Sequence, residues 1–428
     1  MLSLQSNQSY MSKYGIPIVL QALLAIGICD FLSAQPIVTS VEFTGLSKTK
    51  VSFLRQYSTV TAGQKYDSTQ LASDRQRLLN LGILGEVETK MVTDGTTIKI
   101  IFVCREMINT LPVFALGKTE DTFWLKTGLQ SLNLSGRGDK LFVYYQYYDR
   151  HSFYLNYATD RIGNSRWGTT ASLIKWATIE PLSSESGISN YNYTNYTGYA
   201  SAIRFLTFRE TLDVGVGIFN EQFEAQQPQE NELDEIVEGN KFLSKFIFKS
   251  NHLNYHTFYV NGIFNQTNIE FIHSLDEVRN FVTVFNDFRF FKQMGKRFNW
   301  ANRLRTGIAT NDENPFAPFV LDSYLNIRGV GNRVDRGTGS IVINTEMRYT
   351  LFDRRILAAQ GVAFFDLGSW RKPGGNINDF TKTENMRAFS GLGFRLIYKR
   401  AFDTMLRIDY GYDYNKNAGL VIGIGQYF

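Results

Sequence analysis

The long C-terminal part of the chain alternates apolar with polar or small residues, in stretches of about ten that run from Leu111 to the end. In residues 341–351 the odd positions are mostly apolar or aromatic, whereas the even positions include Glu346 and Arg348. Residues 402–414 repeat this pattern and carry their tyrosines at one end, where aromatic girdles meet a membrane interface. The pattern has no helical periodicity and predicts strands with one apolar and one polar face.

The connections between these strands distinguish a membrane barrel from a soluble β-sandwich. Short connections follow the even strands, and several odd strands are followed by long ones, at residues 178–196, 222–241, 311–340 and 367–387. This alternation is typical of an outer-membrane barrel with tight periplasmic turns and long surface loops. We therefore predict a membrane all-β domain, a transmembrane β-barrel over residues 108–428, with sixteen strands that begin near 112, 124, 139, 151, 167, 197, 210, 242, 254, 281, 298, 341, 356, 388, 402 and 419.

Residues 35–107 have a different pattern, that of a small α+β domain. Its predicted elements are, in order, strand 37–43, helix 50–57, helix 68–81, strand 86–92 and strand 97–105. Asp67 or Ser68 is the expected N-cap of the longer helix, and Gly82 is expected to close it. Asp94-Gly95 joins the last two strands and is a strong hairpin signal.

The first 34 residues have the features of an export signal. Lys13 precedes an apolar centre at residues 16–28, and small residues precede Gln35, where the mature chain is expected to start. Either Met1 or Met11 can be the start. Cys29 suggests a lipoprotein, but it follows the bulky Ile28, which disfavours lipidation. Cys104 would then be the only cysteine of the mature chain, so no internal disulfide is expected.

Composition and motifs exclude several classes of function. The formal net charge is only +5 and no run of Lys and Arg occurs, so nucleic acid is not an expected partner. No hydrolase, zinc-protease or phosphate-binding motif is found, and the sequence predicts no enzyme, no catalytic residue and no cofactor. His252 and His256 are four residues apart, but they lie at a predicted turn without a third ligand nearby, so no metal site is predicted.

Two sets of residues resemble known families. The string GQKYDSTQLASDRQRLLNLGILGEVE, within strand-helix-helix-strand-strand order, resembles a POTRA domain (polypeptide-transport-associated domain). The barrel region is similar to the BamA-like outer-membrane assembly factor superfamily, with its bacterial surface antigen-type β-barrel. The residues that carry this similarity are Asn133-Leu134-Ser135-Gly136-Arg137-Gly138, Asn326-Ile327-Arg328-Gly329-Val330, Phe364-Phe365-Asp366-Leu367-Gly368, Gly391-x-Gly393-x-Arg395 and Phe428.

The resemblance implies a role for Arg328. In that superfamily the sixth surface loop folds back into the lumen, and its arginine meets acidic side chains of the barrel wall. Glu346 and Asp366 are the matching acids here, and Val330 stands where the family has an aromatic residue. Strand alternation independently places Glu346 toward the lumen, and assigning Phe365 to lipid places Asp366 there too; one planar guanidinium can bind two carboxylates. Gly329 would let the loop approach the wall closely; alternatively, Arg328 only fills the lumen and braces the barrel.

The seam between the first and last strands is the second candidate site. The first strand, 112–118, is short and contains Pro112, and the last strand, 419–428, has glycines on its inward face, all of which weaken strand pairing. We predict a lateral gate formed by Phe114, Gly117, Leu420, Gly423, Gly425 and Phe428, with Gly419 and the two gate glycines inward and Leu420, Ile422, Ile424 and Phe428 outward. The alternative is that the glycines simply fit a crowded barrel interior.

Together these features predict an outer-membrane protein, with its POTRA domain in the periplasm, that inserts other polypeptides through the seam. The alternative is a conduit, either a polypeptide secretion pore or a diffusion channel. The expected partners are unfolded outer-membrane or exported polypeptides and outer-membrane lipids, with accessory periplasmic or lipoprotein subunits as further candidates. By resemblance, one POTRA domain is fewer than either assembly factors or secretion pores usually carry, so the range of clients stays open.

Overall fold

The computed structural model describes residues 35–118, 123–184, 187–226, 236–276, 280–311, 317–321, 326–330 and 335–428. The predicted export signal, residues 1–34, lies outside them. None of the helices in the described residues is long and apolar enough to cross a membrane.

The small N-terminal domain packs two helices against a three-stranded sheet. Its elements are β1 (Ile37–Thr44), α1 (Val51–Arg55), α2 (Ser68–Leu79), β2 (Leu84–Asp94) and β3 (Thr97–Glu106). The strand order is β1-β3-β2, with β1 parallel and β2 antiparallel to β3. Asp67 caps α2 by accepting from the backbone N–H groups of Thr69 and Gln70, as predicted. The core contains Val38, Leu54, Leu78, Ile100 and Phe102, all buried because each lies on the inner face of its element.

The remainder of the chain closes into an antiparallel barrel. Within the described residues it has sixteen strands of seven or more residues, the predicted number, and one short strand, β12. The strands are β4 (Thr110–Lys118), β5 (Phe123–Ser131), β6 (Lys140–Tyr148), β7 (Arg150–Thr159), β8 (Trp167–Ser184), β9 (Gly187–Phe205), β10 (Glu210–Ala225), β11 (Ile236–Asn251), β12 (Asn254–His256), β13 (Tyr259–Ser274), β14 (Phe281–Met294), β15 (Phe298–Ala309), β18 (Gly339–Asp353), β19 (Leu357–Arg371), β20 (Met386–Tyr398), β21 (Met405–Tyr412) and β22 (Ala418–Ile424). A separate pair, β16 (Phe319–Leu321) and β17 (Asp335–Gly337), lies in the connection between β15 and β18.

In two of the predicted long connections, the flanking strands continue into the predicted loop. The prediction of a loop at 178–196 is wrong, because β8 and β9 pair without interruption up to Ser184 and Gly187. Likewise, β10 and β11 extend into the predicted connection 222–241. The pattern was misleading because asparagines and threonines alternate with tyrosines there, so neither face is lipid-like. Above the membrane a hairpin needs only cross-strand pairs, such as Tyr193 opposite Phe223 with ring centroids 4.6 Å apart.

Candidate functional site

The connection between β15 and β18 enters the barrel and packs on its inner wall. Ile327 and Arg328 are both fully buried. Ile327 joins an apolar cluster on the inner faces of β18, β19 and β20, composed of Leu321, Ile327, Val330, Val342, Trp370 and Phe389. Since Val330 belongs to this cluster, an aliphatic side chain occupies the position at which the resembled family carries an aromatic one. Apolar burial therefore holds both sides of Arg328 against the wall.

Arg328 binds both carboxylates that the sequence places in the lumen. Its Nε and Nη2 donate to the two carboxylate oxygens of Asp366 at 2.8 and 2.9 Å, and its backbone N–H also donates to Asp366 at 2.9 Å. Its Nη1 donates to Glu346 at 2.5 Å. Asn344 donates to Asp366 and to the carbonyl oxygen of Asn326, which ties the wall to the loop a second time. The guanidinium therefore acts as a fork with a bidentate and a single contact, a geometry that lysine cannot reproduce.

Two aromatic rings enclose the same guanidinium. Its central carbon lies 3.8 Å from the centroid of Phe364 on β19 and 4.4 Å from that of Tyr427 in the segment after β22. Cation–π contacts are strengthened when the cation is desolvated, as it is here. The arginine thus connects the loop, the wall and the C-terminal segment in one place.

Further buried charges extend this cluster beyond the predicted set. Arg348 donates to the second oxygen of Glu346 at 2.5 Å, and Arg395 donates to Asp409 at 2.7 Å. Arg407 lies 3.6 Å from the other oxygen of Asp409. These residues face inward because each sits at a polar position of an alternating strand, and that alternation is the signal that could have identified them from the sequence. Tyr427 had no such signal, since it follows the last strand.

Glycine allows the loop tip to touch the last two strands. Gly329 has φ +93°, and a Cβ there would lie 2.8 Å from the backbone of Gly411 on β21. Gly411 and Gly419 are register partners on β21 and β22, and a Cβ on Gly419 would lie 2.7 Å from the carbonyl oxygen of Gly329. The loop tip is therefore seated in a shallow groove that three glycines leave open.

The seam between β22 and β4 differs from every other junction of long strands. Those junctions are held by seven or more paired positions, as between β21 and β22. In the described part of the chain no comparable ladder joins β22 to β4, although the two are neighbours in the closed barrel. Phe114 and Leu420 are 56% and 61% exposed on the outer surface, and Gly117 lies in β4 opposite Trp124 of β5. The seam is the least paired line of the barrel wall.

The chain after β22 turns into the lumen, which corrects two predictions. The last strand ends at Ile424 and not at Phe428, and Gly425 turns the chain with φ +87°. The prediction that Phe428 faces outward is wrong: it is 7% exposed, packs near Phe291 and accepts a hydrogen bond from Arg348 at 3.1 Å. The inward course is favoured because it buries this ring. At Gly423 a Cβ would lie 2.9 Å from the Arg407 guanidinium, so this glycine does fit a crowded interior.

Comparison with protein families agrees with this architecture. Residues 133–428 match the model of the Omp85 superfamily domain. The chain belongs to the Omp85 superfamily. Residues 36–107 of this Omp85 protein match the POTRA model, described as a surface antigen variable number repeat. It is an outer-membrane protein with its POTRA domain in the periplasm.

Solved structures similar to this Omp85 protein are distant in sequence. CdiB from Acinetobacter baumannii aligns at 13% identity and a TM-score of 0.56, covering 91% of this chain and 73% of that one. CdiB from Escherichia coli gives 11% identity and a TM-score of 0.58, with coverage of 91% and 75%. BamA from Haemophilus ducreyi lacking POTRA domains 1-3 aligns at 14% identity and a TM-score of 0.49, covering 91% of this chain and 83% of that one. No curated protein matches the sequence. The two CdiB similarities concern the fold alone.

The POTRA domain of this Omp85 protein contacts the periplasmic rim on the last-strand side of the seam. The Phe402 ring, in the turn between β20 and β21, lies against Gly82, where a Cβ would be 3.1 Å from it. In the linker between domains, the Ile108 N–H donates to the carbonyl oxygen of Arg400 in the same turn at 2.8 Å. These contacts join the POTRA domain to the hairpin that precedes β22.

The same domain also contacts the rim on the first-strand side. The Lys50 N–H donates to the carbonyl oxygen of Gly136 at 2.8 Å, and the Asn133 side chain donates to the Thr49 hydroxyl at 2.9 Å. Glu106 holds the segment that contains Thr49 by accepting from its N–H at 2.6 Å. Partial burial raises the pKa of Glu106. The hydrogen bonds from Ser47, Lys48 and Thr49 lower it by more, so that the pKa is about 2. The POTRA domain therefore bridges the seam at its periplasmic end.

Proposed function

We propose that this Omp85 protein inserts other polypeptides into the outer membrane by opening the seam between β4 and β22. The observation that carries the proposal is that, in the described residues, this one junction of the closed barrel lacks the ladder of seven or more paired positions that holds the others. An unpaired strand edge exposes backbone N–H and C=O groups, and in a membrane such groups must find partners. A client strand that pairs with the opened edge satisfies them, and it can then leave sideways into lipid.

The occupied lumen supports a lateral route over a route along the barrel axis. The loop that carries Arg328 and the inward segment that carries Tyr427 meet inside the barrel, and their charged and aromatic groups are buried. A polypeptide that crossed the lumen would have to displace them and leave Asp366 buried without its arginine, which costs about 3 to 5 kcal/mol. Opening the seam avoids that cost.

The proposed clients are unfolded outer-membrane or exported polypeptides in extended form. In the POTRA sheet, β2 is an edge strand, and its Met91 and Val92 are 50% and 54% exposed. An extended chain could add to this edge through backbone hydrogen bonds before it reaches the seam. Outer-membrane lipids receive the product, and accessory periplasmic or lipoprotein subunits would deliver clients. Strand exchange requires no covalent step, so the proposed activity needs no catalytic residue and no cofactor.

Cysteines across the seam test the proposal. Two pairs of positions are changed to cysteine in a Cys104→Ser background: Phe114 with Leu420, and Phe114 with Ile422. Each variant is then reconstituted in liposomes. Oxidation is expected to stop insertion of an unfolded barrel client, and reductant should restore it. A matched pair at Thr345 and Phe365, which face each other within a complete ladder, should form a disulfide without effect.

The same reconstitution distinguishes the two functions. A conduit would keep translocating a secreted polypeptide, or conducting ions, with the seam disulfide formed. Client insertion at the unlocked rate with the seam fully oxidised would show that lateral opening is wrong.

A further inference from the structure

A cavity of about 940 Å³ lies on the wall formed by β6 to β11, apart from the lumen site and the seam. Its lining includes side chains that are exposed on the outer surface of the barrel, among them Phe153, Leu173 and Ile218 at 52%, 62% and 64%. Side chains on this surface face lipid at membrane depth. The cavity is therefore a hollow in the lipid-facing wall.

A glycine forms the floor of this hollow. Gly198 on β9 is the register partner of Leu173 on β8 and of Ile218 on β10, so it interrupts a row of large apolar side chains. Among the described residues, a Cβ at Gly198 would meet nothing closer than Leu173, at 3.8 Å. Gly198 differs in this from Gly329 and Gly411, whose missing side chains are filled by neighbouring backbone. No residue of the described part of the chain occupies the space that Gly198 leaves.

A row with a different chemistry borders the hollow one step toward the cell exterior. Phe153, Lys175, Tyr196 and Asn220 are consecutive register partners across β7, β8, β9 and β10. The Lys175 ammonium lies 5.6 Å from the Tyr196 ring, and no carboxylate of the described residues is within ion-pair distance of it. Asp276, which lines the hollow, accepts a hydrogen bond from the Asn240 N–H, and Glu238 accepts one from the Asn220 side chain.

Lys175 also lies at a suitable depth for a lipid headgroup. It is eight residues beyond Trp167, which starts β8 at the periplasmic rim. At about 3.3 Å per residue and a strand tilt of about 40°, this places it roughly 20 Å above the rim, near the outer border of an apolar band of about 25 Å. A lysine at that level can extend its ammonium to the headgroups while its stem stays in the apolar layer.

We propose that this hollow binds a lipid with an anionic phosphate headgroup, with an acyl chain over Gly198 between Leu173 and Ile218 and the phosphate at Lys175. The positive charge of the ammonium pairs with the negative charge of the phosphate. The missing side chain at Gly198 leaves room for the acyl chain. This binding does not depend on opening of the seam. The site would fix one lipid on the wall opposite to the charged lumen cluster of β18 to β21, and its effect is measured without any client.

Native mass spectrometry of delipidated protein tests this site. The probes are phosphatidylglycerol and phosphatidylcholine with identical acyl chains, added separately to the protein in detergent. Wild-type protein is expected to retain one phosphatidylglycerol more strongly than phosphatidylcholine. Lys175→Ala should lower phosphatidylglycerol retention about fivefold and leave phosphatidylcholine unchanged, because one interfacial cation is removed. Gly198→Leu should lower retention of both lipids, because it fills the hollow.

Two matched variants control for general effects. Lys292→Ala removes an exposed lysine near the end of β14, outside the hollow. Gly361→Leu adds a side chain at a glycine whose Cβ would also meet only one leucine of the described residues, at 3.9 Å. Neither should change retention. Equal retention of the two lipids by wild-type protein would overturn the proposal, as would equal losses with Lys175→Ala and Lys292→Ala. If Gly198→Leu does not fold, Gly198→Ala and the lysine pair still decide the outcome.

Discussion

The wall from β18 to β22 and the strand β4 beside it are held by very different means. On one side of the seam, the loop tip, the glycine groove and the buried arginines tie β18 to β22 into one braced unit. On the other side, β4 pairs with β5 and, within the residues that the structure describes, has no extended ladder to β22. The last strand thus belongs mechanically to the braced wall. If the seam opens, we expect β4 and its hairpin to move away while β22 stays with the loop.

Removal of Arg328 should have the largest effect on the braced wall. Arg328→Ala leaves Asp366 buried without its cation and leaves Glu346 to Arg348, and we expect the free energy of unfolding to fall by about 3 to 5 kcal/mol. Lys399→Ala, which breaks a surface pair with Asp353, should cost less than about 1 kcal/mol. Denaturant unfolding in lipid vesicles measures both. Equal stability of the wild type and Arg328→Ala would show that the cluster does not brace the wall.

A smaller loss is expected when the loop tip is pushed off the last strands. In Gly411→Ala the new methyl group would lie 2.4 Å from the carbonyl oxygen of Arg328, and overpacking of this kind costs about 1 to 3 kcal/mol. Gly361→Ala adds the same atom at an open position of β19 and serves as the control. Thermal shifts of gel mobility, which report barrel unfolding, compare the two. An unchanged unfolding temperature in Gly411→Ala would show that contact with the loop tip does not hold the last strands to the braced wall.

The POTRA bridge should restrain the seam. Phe402→Ala removes the ring that lies on Gly82, and we expect a loss of about 1 to 2 kcal/mol in docking. Disulfide formation between cysteines at 114 and 420 should then be slower, because the seam is closed for a smaller fraction of the time. Phe352→Ala, at the end of β18, removes an exposed ring from another part of the rim and should leave that rate unchanged. Unaltered rates in both variants would show that the bridge does not limit opening.

The smallest expected effect is a pH dependence of the POTRA contact. The pKa of Glu106 is about 2 in the folded protein, below the usual value of about 4.3 for an unfolded chain. Its contribution to stability is therefore complete above about pH 4.3 and is lost as the pH falls toward 2. Glu106→Gln should flatten the decline of the melting temperature over this range, whereas Glu88→Gln, an exposed acid on β2, should not. Identical pH curves for the wild type and Glu106→Gln would show that Glu106 does not stabilise the POTRA contact.

Local pattern predicted the strands and the inward charges well. Alternation placed Glu346 and Asp366 in the lumen, and capping and turn residues located α2 and the hairpin of β2 and β3. It failed for residues 178–196, where lipid contact ends and the apolar face disappears although strand pairing continues. It failed again at Phe428, because Gly425 ends the alternation and the ring follows whichever neighbours bury it.

Local sequence patterns were sufficient to specify a barrel with a lipid face and a lumen face and a small α+β domain before it, because period-two alternation and capping residues act over a few neighbouring positions. Resemblance to a family selected Arg328 from the arginines available. The folded barrel was needed to show that the loop tip rests on Gly411 and Gly419, that Tyr427 covers Arg328 and that the POTRA domain spans the seam. Those contacts join residues far apart in the chain, and their existence depends on shape and free space, which no local pattern encodes.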